Sequence, residues 1–330
     1  MSAPPTRVLA SLLAAALSVG GASRFALAAA PEPPSAPTTA PAAPAAPAEP
    51  GKVSLVGTLP GELKVKRART GHLLVQSQIN GKDAGWFIFD TGAGMSCVDK
   101  TVVQRLALPD AGEASAKGTG GTQSTRLRKV NSVAVGPVLV EDSTVVELDL
   151  SSIGAAMGEK IDGVVGYECF LGAIYEVDLD AAKITVHDPA SYKLPEGQSW
   201  HTLSFVGRRP CVPGQIEDRE AGTFLLDLGA NSSITVHAPA VQKLKLLEGR
   251  ETKASMTGGV GGIHAARAGT LKTLTLCGQT LQDIPAVFAT SEKGIVADPG
   301  LQGSIGVGLL KRFHCIVNYR DKAIALLPRH

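Results

Sequence analysis

From Val53 to Leu327 the chain is written in short apolar or alternating runs cut by glycine, proline and aspartate. In "LKTLTLCG", ending at Gly278, apolar and polar positions alternate with the period of a half-buried strand, and "VNSVAVG", ending at Gly136, is read the same way. "WFIFD" (Trp86–Asp90) and "TFLLD" (Thr223–Asp227) are instead continuously apolar before a terminal aspartate, the pattern of a strand buried on both faces. Few segments keep a 3.6-residue period. "DKTVVQRLAL" from Asp99 predicts a short helix, as do "GYECFLG" from Gly166 and "GVGLLKRF" from Gly306. The pattern therefore predicts an all-β protein with a few short helices.

The pattern is also written twice. Anchored on Asp90 and Asp227, Ile79 answers Ile216 and Gly85 answers Gly222, without a gap. "DTGA" (Asp90–Ala93) answers "DLGA" (Asp227–Ala230). Downstream, "GTGGT" (Gly118–Thr122) answers "GGVGG" (Gly258–Gly262), and "DGVVGYECF" from Asp162 answers "QGSIGVGLL" from Gln302. "VDLDAAKITV" then answers "VNYRDKAIAL". A period near 140 residues is too long for a solenoid unit and suits a duplicated domain. Two homologous lobes are expected, over residues 52–195 and 196–330.

The N-terminus has a different composition. One arginine in "MSAPPTR", an apolar run over Val8–Ala22 and the small-residue site "ALA" at Ala26–Ala28 predict a secretory signal peptide over 1–28. The run is short for a membrane span, which needs about 20 residues. Residues 29–51, rich in Ala and Pro, cannot pack a core and are expected to form an extended tether. Export plus tether predicts a periplasmic or secreted bacterial protein with no membrane contact beyond the signal. A net charge of +2 with both signs spread along the chain argues against nucleic acid as a partner, and the basic run "KVKRAR" (Lys64–Arg69) reads as a solvated strand. With 44% hydrophobic but only 4% aromatic residues, the core must be built from Val, Leu, Ile and Ala. Five cysteines (Cys97, Cys169, Cys211, Cys277, Cys315) form no C-x-x-C pair. That excludes a zinc ribbon, and buried apolar cysteine is preferred over a disulfide framework.

Two matching aspartates at the ends of buried strands point to a paired-carboxylate site. Carboxyl groups held within hydrogen-bonding reach cannot both ionise cheaply, so the pair shares a proton. Such a pair activates one water and polarises a carbonyl, with no metal and no cofactor. The glycines that follow leave room for a second backbone to approach.

"FDTGA" with the downstream "DGVVGYECF" resembles the retropepsin-like aspartic peptidases, in which Asp-Thr/Ser-Gly-Ala carries the catalytic aspartate and a later apolar-apolar-Gly segment crosses beneath it. Here that segment is Val164, Val165 and Gly166, and in the second half Ser304, Ile305 and Gly306. The duplicated chain resembles the two-lobed arrangement of pepsin. The resemblance implies a monomer with its cleft between two β-barrel lobes. It also implies catalytic Asp90 and Asp227 in turns formed by Thr91, Gly92, Ala93 and Leu228, Gly229, Ala230. Two flaps would be built around Gly118, Gly120 and Gly121 and around Gly258, Gly259, Gly261 and Gly262. The implied substrate is a polypeptide in extended conformation.

One position departs from the pattern: Leu228 stands where the family has a hydroxyl that hydrogen-bonds across the lobe interface. It motivates an alternative, a weak or inactive relative that binds extended peptides without cutting them. A third reading, an inert barrel with plain turn aspartates, is disfavoured by the cost of placing a charge after an apolar run. G-x-S-x-G, H-E-x-x-H and G-x-x-x-x-G-K-[ST] are missing, the seven histidines are scattered, and Cys97 has no identified histidine partner for thiol chemistry.

Overall fold

The computed structural model describes residues 51–329. The predicted signal peptide, and all of the predicted tether except Gly51, lie outside the described residues.

Each lobe is built on one large sheet, of nine strands in the first and eight in the second. The central unit of the first lobe is the hairpin of Leu73–Ile79 and Lys82–Phe89. Its turn residues Asn80 and Gly81 both take positive φ, the geometry that an Asn-Gly pair favours between right-twisted strands. The segment Gly163–Val165 then runs parallel to the end of Lys82–Phe89, placing Val165 beside Phe89. Its other edge pairs antiparallel with Cys97–Asp99. The second lobe repeats this with Arg209–Ile216, Gly222–Leu226, Gly303–Ile305 and Ile234–Val236.

A long hairpin projects from each lobe: Asp110–Gly118 with Gly121–Val135, and Lys253–Gly259 with Gly262–Leu276. The three short helices expected from sequence are present at Lys100–Leu106, Tyr167–Phe170 and Val307–Leu310. Asp99 caps the first, accepting the Thr101 N–H. Two more helices, Ser151–Met157 and Ala238–Lys243, were not marked by periodicity: the first carries glycine at its centre and the second proline in its first turn.

A third sheet of six strands joins the lobes. Gly61–Glu62, Lys183–His187 and Ile174–Asp178 come from the first half, and Phe313–Asn318, Ala323–Pro328 and His201–Thr202 from the second. At its centre Ile174–Asp178 pairs antiparallel with Phe313–Asn318, and Glu176 faces Ile316, its own counterpart in the repeat. The approximate two-fold axis of the molecule therefore passes between these two residues. The apolar core is continuous through this sheet into both lobes and includes Phe89, Phe170, Tyr175, Val317, Tyr319 and Leu228.

The five cysteines are unpaired, and Cys169, Cys211, Cys277 and Cys315 are buried. Among the described residues no helix is long and apolar enough to cross a membrane.

Candidate active site

Asp90 leaves a strand whose last three residues, Phe87, Ile88 and Phe89, are buried, all three paired with Gly163–Val165 and the first two also with Leu73–Ile79. Asp227 leaves Gly222–Leu226, which is held in the same way. The position of each aspartate is thus fixed by a strand that cannot slide. After each aspartate the chain turns sharply. Asp90 Oδ1 accepts the Gly92 N–H at 2.7 Å, and Asp227 Oδ1 accepts the Gly229 N–H at 3.0 Å. The turns are tied to the following helices by matching bonds, Tyr167 N–H to the Ala93 carbonyl and Val307 N–H to the Ala230 carbonyl.

The two turns face each other across the lobe interface. A Cβ on Gly92 would stand 2.8 Å from the carboxyl carbon of Asp227, and one on Gly229 would stand 2.3 Å from that of Asp90. Only glycine fits in either place. The two carboxyl groups lie close enough to interact directly. Both are half-buried. Burial pushes both above the usual carboxylate range, and the charge of Asp227 pushes Asp90 further. At Asp227 the rise is opposed by the interaction with Asp90, the Gly229 N–H and the nearby Arg209 guanidinium. One proton is therefore shared by the pair.

Thr91 and Leu228 show what the departure from the motif does. Thr91 Oγ1 donates to the Leu226 carbonyl at 2.8 Å and accepts the Leu228 N–H at 3.0 Å, so one hydroxyl grips the opposite turn twice. Leu228 returns no such bond. Its side chain, 3% exposed, lies in the core and lines a small apolar void with Leu203, Pro210, Leu310, Cys315, Val317 and Ile324. The first turn is held instead by Tyr319, whose hydroxyl donates to the Thr91 carbonyl at 2.8 Å. Burial, then the two aspartates, keep that phenol protonated.

Ser304, which replaces the usual apolar residue beneath the second turn, pairs with buried His237 at 2.9 Å. Burial lowers the His237 imidazole to about 4, so it is neutral. The equivalent pair in the first lobe is Val164 with Asp99, and the polar partner of Ser304 explains the exchange.

The flap glycines lie at the tips of the two long hairpins. Gly118 pairs with Gly121 and Gly259 with Gly262, so Thr119-Gly120 and Val260-Gly261 are the tips. Gly258 sits one pair below, opposite Ile263, which shifts the correspondence read from sequence by one residue. The tips meet. Gly120 N–H donates to the Val260 carbonyl at 3.0 Å, and the Gly120 carbonyl accepts from His264 Nε2 at 2.5 Å. A Cβ on Gly120 would strike Gly262 backbone at 1.9 Å. Val260 packs against an apolar cluster of the first lobe that Ala93 and Met95 also join, which brings the second flap over the first turn.

Tyr319, His72 and Arg209 were not marked as site residues by sequence. The partners of Tyr319 and His72 are backbone carbonyls, which leave no trace in a motif. Cys97 lies near Asp90 and Glu168, but burial first, then those carboxylates, push its thiol up and away from nucleophilic use. Among the described residues no group of three or more His, Cys, Asp or Glu is placed to hold a metal ion.

Comparison with known proteins agrees with the duplication. Residues 75–169 and 212–309 each match the family described as aspartyl protease, and each match spans one turn and its crossing segment. No curated protein matches the chain. With matches over more than half its length, this chain belongs to the aspartyl protease family and carries that family's domain twice.

Proposed function

We propose that the protein is an endopeptidase that hydrolyses peptide bonds with a water held between Asp90 and Asp227. The observation that carries this reading is the pair of half-buried carboxyls that face each other, each against the glycine of the other's turn, delivered by two matching turns beneath two flaps whose tips meet. The ionised member of the pair takes a proton from the water. The protonated member donates its proton to the scissile carbonyl oxygen as the hydroxide attacks carbon. The tetrahedral diol then collapses, the nitrogen is protonated by the pair, and the C–N bond breaks. The substrate is an extended polypeptide, which suits flap edges that pair with a strand. The signal-like residues 1–28 support export, with the chain acting as a monomer in the periplasm or outside the cell.

The test is peptide cleavage by wild type, Asp90→Asn and Asp227→Asn across pH. Either variant is expected to lose about a hundred- to ten-thousandfold in rate. Wild type is expected to give a bell-shaped profile in the acidic range and to be indifferent to a chelator. Leu228 favours a second reading, binding without cleavage. Tight peptide binding with no cleavage, unchanged in both variants, would establish that reading instead.

A further inference from the structure

Three pairs of equivalent positions surround the two turns, and in each only one lobe carries a side chain that hydrogen-bonds to a turn. Thr91 has Leu228 as its counterpart. Tyr319 has Leu179, each lying 13 residues after the glycine of its crossing segment. His72 has Arg209, each seven residues before the matched isoleucines Ile79 and Ile216. The Thr91 hydroxyl holds the second turn and the Tyr319 hydroxyl holds the first, as described above.

His72 belongs to the same set. It lies at the end of a tight turn over residues 68–72, closed by bonds from Gly71 N–H to the Ala68 carbonyl and from Ala68 N–H to the His72 carbonyl. Its side chain leaves the first lobe and reaches Gly229, whose carbonyl stands 2.9 Å from Nε2. A carbonyl only accepts, so Nε2 carries the hydrogen. Nδ1 then accepts, and the Thr70 hydroxyl is 2.8 Å away to donate to it. Thr70 thus selects the tautomer that the Gly229 contact needs. His72 is 6% exposed, and burial lowers its pKa, which keeps the ring neutral and this arrangement intact in mild acid. Arg209 does not mirror this contact. It bonds the Val206 carbonyl and lies 3.9 Å from Asp298.

We infer that His72, oriented by Thr70, is a positioning residue that holds the turn of Asp227 through the Gly229 carbonyl, adding a second grip from the first lobe to that of Thr91. Gly229 is the residue whose N–H bonds Asp227 and whose α-carbon faces Asp90, so any shift of its peptide is felt by both carboxyls. A misplacement of the order of 1 Å costs about a hundredfold in rate. This role rests on the peptidase reading for its kinetic consequence but not for its structural one.

The experiment compares wild type with His72→Leu, His72→Gln and Thr70→Val by steady-state kinetics and by amide hydrogen exchange. His72→Leu is expected to lower kcat about ten- to a hundredfold with little change in KM. It should also speed exchange at Gly229 and Ala230 but not at Gly92 and Ala93. The glutamine Nε2 can reach the same carbonyl, so His72→Gln should recover most of the rate and the protection. Thr70→Val keeps the ring but frees its tautomer and should fall between, giving a second test if the leucine variant folds poorly. Unchanged exchange at the second turn, equal change at both turns, or no rescue by glutamine would overturn the proposal. If wild type cleaves nothing, the peptidase reading fails, while the exchange pattern still decides the role of His72.

Discussion

Leu228 occupies a place that is polar in its mirror image, and its surroundings have closed over it. A threonine there would reach, by the two-fold relation, toward the Phe89 carbonyl and the Thr91 N–H. It would also give up packing against Leu203, Leu310, Val317 and Ile324 around a void already present. Loss of buried methyl groups costs about 1–3 kcal/mol, against about 0.5–1.5 kcal/mol for one neutral hydrogen bond. Leu228→Thr is therefore expected to lower the melting temperature and leave kcat near wild type. Thermal melts with peptide kinetics check this, and a more stable, faster variant would contradict it. The aspartates give a second prediction at this scale. Folding raises their proton affinity above that of the free chain. Stability is then greatest below the unfolded carboxylate pKa of about 4 and falls as pH rises toward the raised folded values. Asp90→Asn imitates the protonated partner at every pH. It should be more stable than wild type at pH 7, and the gap should close toward pH 4 in denaturant titrations.

The flaps are hairpins of 15-residue and shorter strands that meet only at their tips. Gly120 is the shared point, donating to Val260 and accepting from His264. On the peptidase reading, a substrate entering from above would require these tips to part in each cycle. His264→Leu removes one of the two bonds, about 1 kcal/mol, and should raise opening about fivefold. Faster amide exchange at Gly120, with the strands below it unchanged, is the expected result. These hairpins were legible from sequence because glycine pairs at a turn are a local signal. So were the Asp-Thr-Gly and Asp-Leu-Gly turns, each preceded by its apolar strand. The tip-to-tip contact was not legible. His264 and Gly120 are 144 residues apart, and a histidine bonded to a carbonyl has no motif. Helix Ser151–Met157, with glycine at its centre and small residues on both sides of it, gave no period to detect.

At the scale of the molecule the duplication was plain in sequence, whereas the six-stranded sheet that joins the halves was not. Its strands alternate like any others, and nothing local says that Ile174–Asp178 will pair with a segment some 140 residues away. That sheet interleaves the halves and is clamped on its outer face, where Glu176 accepts from His187 at 2.8 Å and His314 at 2.7 Å. The connecting segment Pro195–Trp200 is exposed throughout, with Gly197 at φ +77°. A protease site inserted there and cut should leave the two halves co-eluting and active, and their separation on gel filtration would refute the idea. Covalent linkage matters for a different reason. Were the halves separate chains, two copies of the first would meet with a gripping threonine on each side, and two copies of the second with none. The first half would tend to sort with itself and leave the second without a mate. A tether removes that choice by holding each half at millimolar local concentration of the other. The leucine at 228 is thus tolerable in a fused chain and would be a fault in a freely exchanging one.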